Sequence, residues 1–461
     1  MMLLRVQEKA LGAARGKWGF AYFLEMGLGK TLLTLTEFME LVRQKQVTRL
    51  VVVCPNSFKT GWLDEVQKHN IQVHVHIFNS GAAFENARFL KVPYDKPPIL
   101  VVNYEAIRKP DTQNYIERFT MGRNCMIVFD ESISIKTYNS QQTKAALALT
   151  NLFRYRRILS GKPVTTGPHD LWAQMRAIGA IQTKYFPFKT TFCKMGGFRG
   201  KKVVGTQNEE LLAATIDKFI FRGSKADWTD LPPKMYTSRE YRLTRELAAM
   251  YSSMEEEFVL WLNENENVSV DVFITKYIKL AQIQSGFIIK EDGTVHELIP
   301  PEENPRFTLV RELVEEATGK VVIPYIHRYT LGLLHRSLMD YNPAYIKGGM
   351  APEEIQAQKD KFNNDKECRV ILVQTRAGKF GHTLLGGENA EDKCSTMVFA
   401  ENSYSLDDRS QVEDRIHRHG QSLSCLYIDL WGTPLDHRIT AALQAKENIA
   451  QAVFRYFKGD Q

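Results

Sequence analysis

The sequence predicts an α/β protein with two lobes, each built on a parallel sheet, and a mostly helical insertion between the lobes. Short, continuous apolar runs recur along the chain and stop at polar clusters, and amphipathic stretches separate them. The pattern lapses between about residues 175 and 300 and then restarts. Continuous apolar strands spaced by helices are typical of a parallel sheet covered on both faces.

The apolar runs place the strands. They cover residues 50–54, 99–102, 126–129 and 158–159 in the first lobe, and 321–323, 370–373, 396–399 and 426–428 in the second. The amphipathic stretches 31–45 and 141–149 predict helices. We therefore predict a first lobe at 1–175, a helical insertion at 176–300 and a second lobe at 301–461. Ligands gather at the carboxyl ends of parallel strands, where the polar clusters fall.

Composition is compatible with two or three packed domains, since 461 residues are 44% hydrophobic and 25% charged. A net charge of +7 suits a polyanionic partner, although many soluble proteins share such a balance. Residues 1–18 carry charges that would break the apolar core of a signal peptide, and no stretch approaches the ~20 apolar residues of a membrane span. We expect an intracellular protein, in the cytoplasm, the nucleoid or the interior of a host cell.

Six cysteines are scattered, at positions 54, 125, 193, 368, 394 and 425. This spacing argues against zinc ribbons and disulfides, and Cys54, Cys125 and Cys425 are expected to be small buried side chains. The tryptophans Trp18, Trp228 and Trp261 are expected in the core rather than as stacking platforms for bases.

The segment Gly27-Leu28-Gly29-Lys30-Thr31 is typical of a phosphate-binding loop that opens a helix. Glycines let the backbone wrap a phosphate, and the helix start offers free N–H groups. Lys30 would reach the β- and γ-phosphates of ATP, and the Thr31 hydroxyl would bind Mg²⁺. Leu24 stands where the full pattern has glycine, and a plain glycine-rich turn is the alternative interpretation.

Asp130 and Glu131 follow the apolar run 126–129 directly. Asp130 would hold Mg²⁺ through a water molecule, and Glu131 would orient and deprotonate the attacking water. Acidic residues after a strand are also common as helix caps. Paired with the upstream loop, however, they indicate a nucleotide hydrolase.

The third element is Gln411-x-x-Asp414-Arg415-x-x-Arg418. Arginines three residues apart share a helix face, so we expect Arg415 and Arg418 to reach from the second lobe towards the γ-phosphate. An arginine placed there typically contributes about 10³–10⁵ in rate. A solvated basic helix is the alternative.

In this order, the three elements resemble a superfamily 2 helicase-like ATPase of the Swi/Snf branch, over nearly the whole chain. The further segments that carry the resemblance are Leu4-Arg5-x-Gln7, 54–57 with Trp62, 103–105, 160–163, 170–172, 347–349, 361–363, 376–384 and 411–421. The resemblance implies RecA-like lobes, with Gln7 reading adenine and Gly381 and Gln411 completing the nucleotide site. It also implies duplex DNA as the partner and a helical protrusion near residues 231–234.

Loop residues at the strand ends are candidate DNA contacts, although each is as well explained as a solvated turn. They are Ser57, Lys59, Asn103, Tyr104, Gln374, Thr375 and Lys379. The Gly- and Lys-rich segment 194–202 is either a basic finger that touches DNA or a solvated hairpin.

Five positions depart from the branch pattern. They are Ile133, Ser160, Lys162, Lys379 and Thr383. Their side chains bear on how hydrolysis is coupled to movement and leave the hydrolytic residues in place.

Three functions stay open from the sequence. The first is an ATPase that needs Mg²⁺ and moves along duplex DNA, the second is a strand-separating or branch-migrating motor, and the third is an ATP-controlled binding switch. The sequence leaves the oligomeric state open, with a monomer favoured, and it shows no additional domain that would direct the motor to its target. For the same reason, a separate protein partner is a possible source of targeting.

Overall fold

The computed structural model describes residues 3–196, 202–225, 231–264, 278–376, 383–387, 389, 391–403, 405–418 and 420–445. The chain divides into two compact units, residues 1–230 and 231–461. Within the described ranges, no helix combines the length and the apolar character that crossing a membrane would require.

The first unit is built on a seven-stranded parallel sheet. Its strands are β1 (Gly19–Leu24), β2 (Arg49–Cys54), β3 (His74–Ile77), β4 (Pro98–Asn103), β5 (Cys125–Phe129), β6 (Tyr155–Leu159) and β9 (Ile220–Gly223), in the spatial order β3-β4-β2-β5-β6-β1-β9. β7 (Cys193–Gly196) and β8 (Lys202–Thr206) form a separate antiparallel pair.

Alternating strand residues feed two cores, one on each face of this sheet. Val51 and Val53 belong to one core, whereas Val52 and Cys54 belong to the other. This is why the strands are continuous apolar runs: both faces are covered by helices. The helices are α1 (Arg5–Ala14), α2 (Lys30–Arg43), α3 (Lys59–Lys68), α4 (Ala83–Lys91), α5 (Pro110–Thr120), α6 (Gln141–Leu149), α7 (Leu171–Ala177), α8 (Tyr185–Phe192) and α9 (Glu209–Ile216).

The second unit has a six-stranded parallel sheet in the order β10-β17-β16-β13-β15-β14. Its strands are β10 (Lys234–Glu240), β13 (Lys320–Tyr325), β14 (Ala344–Ile346), β15 (Val370–Gln374), β16 (Cys394–Phe399) and β17 (Cys425–Trp431), and β11 (Phe287–Ile289) pairs with β12 (Val295–Glu297). The helices are α10 (Arg245–Glu264), α11 (Pro305–Glu316), α12 (Arg328–Ser337), α13 (Pro352–Asn364), α14 (Leu406–Glu413) and α15 (Pro434–Gln444). Residues 278–284 are also helical.

The predicted strands and the helix 141–149 are confirmed, as is the burial of Cys54, Cys125 and Cys425. The expectation that Trp18 lies in the core is wrong, because 58% of this residue is exposed. Trp261 packs partly buried in the second unit, and Trp228 lies outside the described residues.

The segment 176–300 is divided between the two units. It holds α8, α9, α10 and the helical residues 278–284, but its strand β9 pairs with β1, and its strand β10 pairs with β17. Within this segment, Lys234 begins β10 of the second sheet, and a helical protrusion from the insertion stays a prediction. The three-part domain boundaries themselves stay a prediction.

Candidate functional site

The phosphate loop connects the carboxyl end of β1 to the start of α2. Gly27 and Gly29 have φ values of 89° and 68°, in the left-handed region that favours glycine. Gly29 is the N-cap of α2 and has no side chain that could accept a hydrogen bond from the first N–H groups of the helix. These N–H groups are therefore left for an anion to bind. Leu24 is the last residue of β1 and is fully buried, which explains why an apolar side chain stands there.

Lys30 is the first residue of α2, and only 9% of it is exposed. Its Nζ donates to the carbonyl oxygen of Leu24, 2.9 Å away. The ammonium is thereby held over the end of β1, next to the loop.

Gln7, on α1, braces the phosphate loop from behind. Its Nε2 donates to the carbonyl oxygens of Leu28 at 3.2 Å and Gly29 at 3.0 Å, and its Oε1 accepts from the Leu4 N–H at 2.7 Å. The side chain is buried, and a Cβ on Gly29 would lie 2.2 Å from Gln7 Nε2. Gln7 therefore fixes the loop backbone, and a larger residue at position 29 would displace its amide; its contact with adenine stays a prediction.

Asp130 follows β5, which is separated from β1 only by β6. Its Oδ2 accepts from Trp62 Nε1 at 3.1 Å, and its Oδ1 accepts from the Glu131 N–H at 3.0 Å. Burial, and then the charge of Glu131, raise the pKa of Asp130 to about 6 against the attraction of Lys30. A buried carboxylate whose ionised form is disfavoured in this way fits a divalent cation, and a role of the Thr31 hydroxyl as a second oxygen ligand stays a prediction.

Glu131 has a left-handed backbone, with φ 48° and ψ 56°, and precedes the 3₁₀ turn Ser132–Ile135. Such a conformation costs about 1 kcal/mol or more for a residue other than glycine, and it persists only where the surroundings impose it. Here the Tyr104 hydroxyl donates to the Asp130 carbonyl oxygen at 2.8 Å, and this bond stabilises the turn. The carboxylate of Glu131 is half-buried, compatible with a base that reaches a substrate water.

A buried polar link joins this turn to the loop after β6. The Ser132 hydroxyl donates to Gln174 Oε1 at 2.7 Å, and Gln174 Nε2 donates to the Pro163 carbonyl oxygen at 2.7 Å. The departing residue Ser160 is fully buried in that loop, and its Oγ accepts from the Lys162 N–H at 3.2 Å. The two loops are therefore fixed to each other by Gln174, a residue that the sequence did not single out.

The raised pKa of Asp130 predicts a pH dependence of folding stability. The folded carboxyl holds its proton more tightly than the unfolded one, so the unfolding free energy should fall as pH rises from the ordinary carboxyl pKa to about 6. The fall attributable to this group is roughly 2–3 kcal/mol. Asp130→Asn should remove it, measured by chemical denaturation without Mg²⁺ across that range.

The slope, rather than the absolute stability, is the quantity to compare, because asparagine also alters the bonds to Trp62 and Glu131. Asp95→Asn, at an exposed position, should track the wild type. An Asp130→Asn slope identical to that of the wild type would mean that Asp130 does not titrate in this range.

The second unit contributes the predicted arginines, but not from a helix. α14 ends at Glu413, and Arg415 and Arg418 lie in the turns that follow, so the expectation that they share a helix face is wrong. The Arg415 N–H donates to the Val412 carbonyl oxygen, three residues back rather than four, so the helix tightens and ends. Arg415 is buried, Arg418 is half-buried, and Gln411 is half-buried on α14.

Glu413 anchors this turn and is buried. It accepts from Arg409 Nε at 2.8 Å, from Lys234 Nζ at 3.1 Å and from the Tyr236 hydroxyl at 2.8 Å. Burial alone would raise the pKa of Glu413, but Arg409 and Lys234 outweigh it and hold the pKa below its ordinary value. The turn that carries both candidate arginines is thus tied to β10.

The lead-in to β10 makes two further bonds to the same turn. Lys234 Nζ also donates to Asp414 Oδ1 at 3.2 Å, and His417 Nε2 lies 2.8 Å from the Pro232 carbonyl oxygen. Residues 231–236 therefore brace the turn, a role that could not be predicted because the partners are far apart along the chain.

Lys234→Met is expected to lower the unfolding free energy by about 1–3 kcal/mol, because it removes two charge-assisted bonds from mostly buried carboxylates. The control is Arg239→Met on the same strand, whose pair with Glu316 at 3.7 Å is exposed and should contribute under about 1 kcal/mol. The measurement compares the denaturant midpoints of the two variants with that of the wild type. Equal losses of unfolding free energy in the two variants would show that Lys234 does not stabilise the turn.

Among the predicted DNA contacts of the first unit, Lys59 and Asn103 are only partly buried. Lys59 is half-buried, and burial lowers its pKa. Asn103 Nδ2 donates to Glu105 Oε2 at 2.7 Å near the surface. A DNA contact through the side chain of Tyr104 is contradicted, because it is buried and bonded to Asp130.

In the second unit, a contact through the side chain of Thr375 is likewise contradicted, because it is buried and its Oγ1 donates to the Tyr325 carbonyl oxygen at 3.0 Å. Gln374 is half-buried and accepts from the Gly348 N–H at 2.8 Å, so it shapes the loop at 347–349. Lys379, Gly381 and the side chain of Ser57 lie outside the described residues.

The ends of the segment 194–202 lie in the antiparallel strands β7 and β8, a pairing compatible with both a basic finger and a solvated hairpin. Its residues 197–201 lie outside the described part of the chain, and a contact with DNA stays a prediction.

Two family models match the chain. The SNF2-related domain matches residues 21–286, and the helicase conserved C-terminal domain matches residues 305–420. Together they cover the phosphate loop, Asp130 and Glu131, and the turn after α14.

Curated proteins and solved structures add distant similarities. The chain is 25% identical, over 86% of its length, to the SWI/SNF-related matrix-associated actin-dependent regulator of chromatin subfamily A-like protein 1 homolog of Caenorhabditis elegans, of which it covers 54%. It is 22% identical, over 92% of its length, to the human DNA annealing helicase and endonuclease ZRANB3, of which it covers 38%. The chain thus spans about half, or less, of these relatives.

A solved Sulfolobus solfataricus SWI2/SNF2 ATPase core in complex with dsDNA is similar over 100% of this chain and 94% of that one. The identity is 22% and the TM-score is 0.43.

Proposed function

The chain belongs to the SNF2-related family of helicase-like ATPases, and from that premise we propose that it hydrolyses ATP to move along double-stranded DNA. The observation that carries the proposal is the carboxyl edge of the first sheet. There the start of α2, after the loop that follows β1, supplies Lys30 and Thr31, and the loop after β5 supplies Asp130 and Glu131, with only β6 between them.

In this proposal the loop N–H groups and Lys30 hold the β- and γ-phosphates. Glu131 accepts a proton from water as the water oxygen attacks the γ-phosphorus and the bond to the β,γ-bridging oxygen breaks. Mg²⁺, held by Thr31 and Asp130, would neutralise charge on the phosphate oxygens. Arg415 and Arg418 of the second unit stabilise the charge that develops on the γ-phosphate.

Nucleotide recognition would use Gln7, Gly381 and Gln411 in addition. Gln7 already orders the loop from the side of α1, so an adenine bound there would be read by the same amide that positions the phosphates. This coupling between base recognition and loop shape supports ATP as the substrate.

Relatives named as a regulator of chromatin and as a DNA annealing helicase support DNA as the polymer. The proposed contacts are Lys59 and Asn103 on the first unit and Gln374 on the second, with Ser57 and Lys379 as further candidates. Such contacts bind phosphates rather than bases, so DNA binding should depend on salt and not on sequence. A protein partner would supply targeting.

ATP turnover is expected to rise at least about tenfold with blunt duplex DNA, because a motor couples hydrolysis to its track. The measurement compares the ATPase rate with no polymer, single strands, duplex and forks at equal nucleotide concentration. A rate that ignores all DNA would contradict a DNA-dependent motor while leaving the ATPase itself standing.

Two other activities are compatible with these residues. One is a strand-separating or branch-migrating motor on forked DNA, which is compatible with a relative named as a DNA annealing helicase. The departures Ile133, Ser160 and Lys162 favour an ATP-controlled switch with little net movement. Displacement of a triplex strand marks duplex movement, fork unwinding marks strand separation, and nucleotide-dependent binding without either marks the switch.

A further inference from the structure

A row of cations lines the edge of the first sheet at which its strands begin. Arg123 precedes β5, Arg154 precedes β6, Lys17 precedes β1 and Lys218 precedes β9, and these four strands are consecutive neighbours. Arg123, Arg154 and Lys218 are exposed, and Lys17 is half-buried. At about 4.8 Å per strand, the row is roughly 14 Å long.

Few acidic side chains offset this charge in the described part of the edge. Asp217, beside Lys218, is already paired with Arg222 at 2.7 Å. Glu117 lines the same shallow groove as Arg123 and is the nearer competitor. The row therefore keeps a net positive charge of the kind that binds a polyanion.

This edge is distinct from the candidate nucleotide site. The phosphate loop and Glu131 follow the carboxyl ends of β1 and β5, whereas the cations precede the amino ends of the same strands. Strands of five or six residues separate the two edges by about 17–20 Å.

An exposed aromatic side chain lies within the row. Trp18, directly before β1, is 58% exposed, and the Arg154 guanidinium lies 4.3 Å from its ring centroid. Such a cation–π contact fixes the orientation of the indole while more than half of the residue stays open to solvent. An open, oriented indole is suited to stacking against a nucleic-acid base.

The backbone under Trp18 is firmly held. Its carbonyl oxygen accepts from the Arg156 N–H at 2.7 Å and from Arg157 Nη1 at 2.9 Å. Arg157 is itself buried and ion-paired with Glu37, so this anchor belongs to the core. The indole is thus presented to solvent on rigid backbone, which reduces the entropy lost when a partner binds.

We propose that Lys17, Trp18, Arg123, Arg154 and Lys218, here called the amino-edge surface, bind a single-stranded nucleic acid. The strand's phosphates lie along the cations, and an unpaired base stacks on Trp18. An acidic peptide would satisfy the cations but leave the indole without a stacking partner. A duplex offers no free base except at its ends. The amino-edge surface therefore fits an unpaired strand best, and it is independent of the ATP site.

The first test removes charge from the amino-edge surface. Arg123→Gln, Arg154→Gln and Lys218→Gln are combined in the full chain, and binding of a labelled strand of about 15 nucleotides is followed by anisotropy without nucleotide. We expect affinity to fall about 10–100-fold at low salt and the slope of log K against log salt to shrink by about 2.

The matched control removes the same charge elsewhere on the first unit, with Lys68→Gln, Arg88→Gln and Lys91→Gln on the exposed faces of α3 and α4. It should change affinity by less than about threefold, since no row of contacts is lost. If the two triple variants lost the same affinity for the strand, the effect would come from the overall charge of the protein, and the proposal would be overturned.

The second test isolates the base. Trp18→Ala should weaken single-strand binding by about 5–100-fold and leave a blunt duplex of the same length unchanged, whereas Trp18→Phe should retain part of the affinity. Equal weakening for both forms of DNA, or no weakening, would overturn base stacking. An acidic peptide that displaces the strand at equal charge concentration would assign the surface to a protein partner instead.

ATP turnover without DNA should stay within about twofold in all these variants, because their side chains lie at the opposite edge from Glu131. Because binding is measured without nucleotide, these tests of the amino-edge surface do not depend on movement along DNA. They would remain valid if the proposed function proved wrong.

Discussion

ATP turnover is expected to fall about a thousandfold or more when Lys30 is replaced by alanine. The ammonium stands at the start of α2, beside the left-handed Gly29, where a γ-phosphate would lie. Removal of a preorganised cation from a mostly buried site loses transition-state stabilisation that water does not replace. The measurement is steady-state phosphate release at saturating ATP, with nucleotide affinity determined separately.

Because Lys30 Nζ also caps the Leu24 carbonyl oxygen, the fold of the variant has to be checked. Lys30→Met, which keeps the apolar stem, should be as inactive as the alanine variant but closer to wild type in stability. Lys68→Ala, at a 66% exposed side chain, is the control for loss of a lysine. If Lys30→Met hydrolysed ATP near the wild-type rate, the assignment of Lys30 to the nucleotide site would be wrong.

The second large effect is expected for Glu131→Gln, which should bind ATP normally and hydrolyse it about 10²–10⁴-fold more slowly. Glutamine has the same shape and occupies the same left-handed backbone, so the turn after β5 should be preserved. The ability to accept a proton is lost, and so is the negative charge that helps to raise the pKa of Asp130. Binding of a fluorescent nucleotide and single-turnover hydrolysis separate the two steps.

Glu65→Gln on α3 serves as the control for replacing a carboxylate by an amide in the same unit. If Glu131→Gln retained full turnover, the base would have to be sought elsewhere. If it lost nucleotide binding as well, the residue would be a ligand of the nucleotide rather than a base.

Much of the fold was predictable, since the apolar runs locate strands that are buried on both faces. The phosphate loop, Asp130 and Glu131 were predictable for the same reason: each is local in sequence and follows a strand directly. The exposure of Trp18 was not, because it depends on where the chain enters β1 rather than on the residue type.

The parts that failed depend on distant partners. Tyr104 and Thr375 look like polar loop residues, yet their hydroxyls are taken by the carbonyl oxygens of Asp130 and Tyr325. Arg415 and Arg418 follow a helical pattern, but the bonds of Glu413 to Lys234 and Tyr236 accompany an earlier end of the helix. No periodicity carries that information.

The pairing of β10 with β17 bears on how the protein is made. Of the described strands of the second unit, the first hydrogen-bonds to the last, with Lys234 opposite Cys425, so about 190 residues of chain must be synthesised between the two strands before they can pair. Until then β10 is an unprotected strand, and pairings this remote in sequence form slowly. A chain truncated just before β17 would therefore leave β10 without its partner strand. The unpaired edge of β10 would then be exposed to other chains and would promote aggregation.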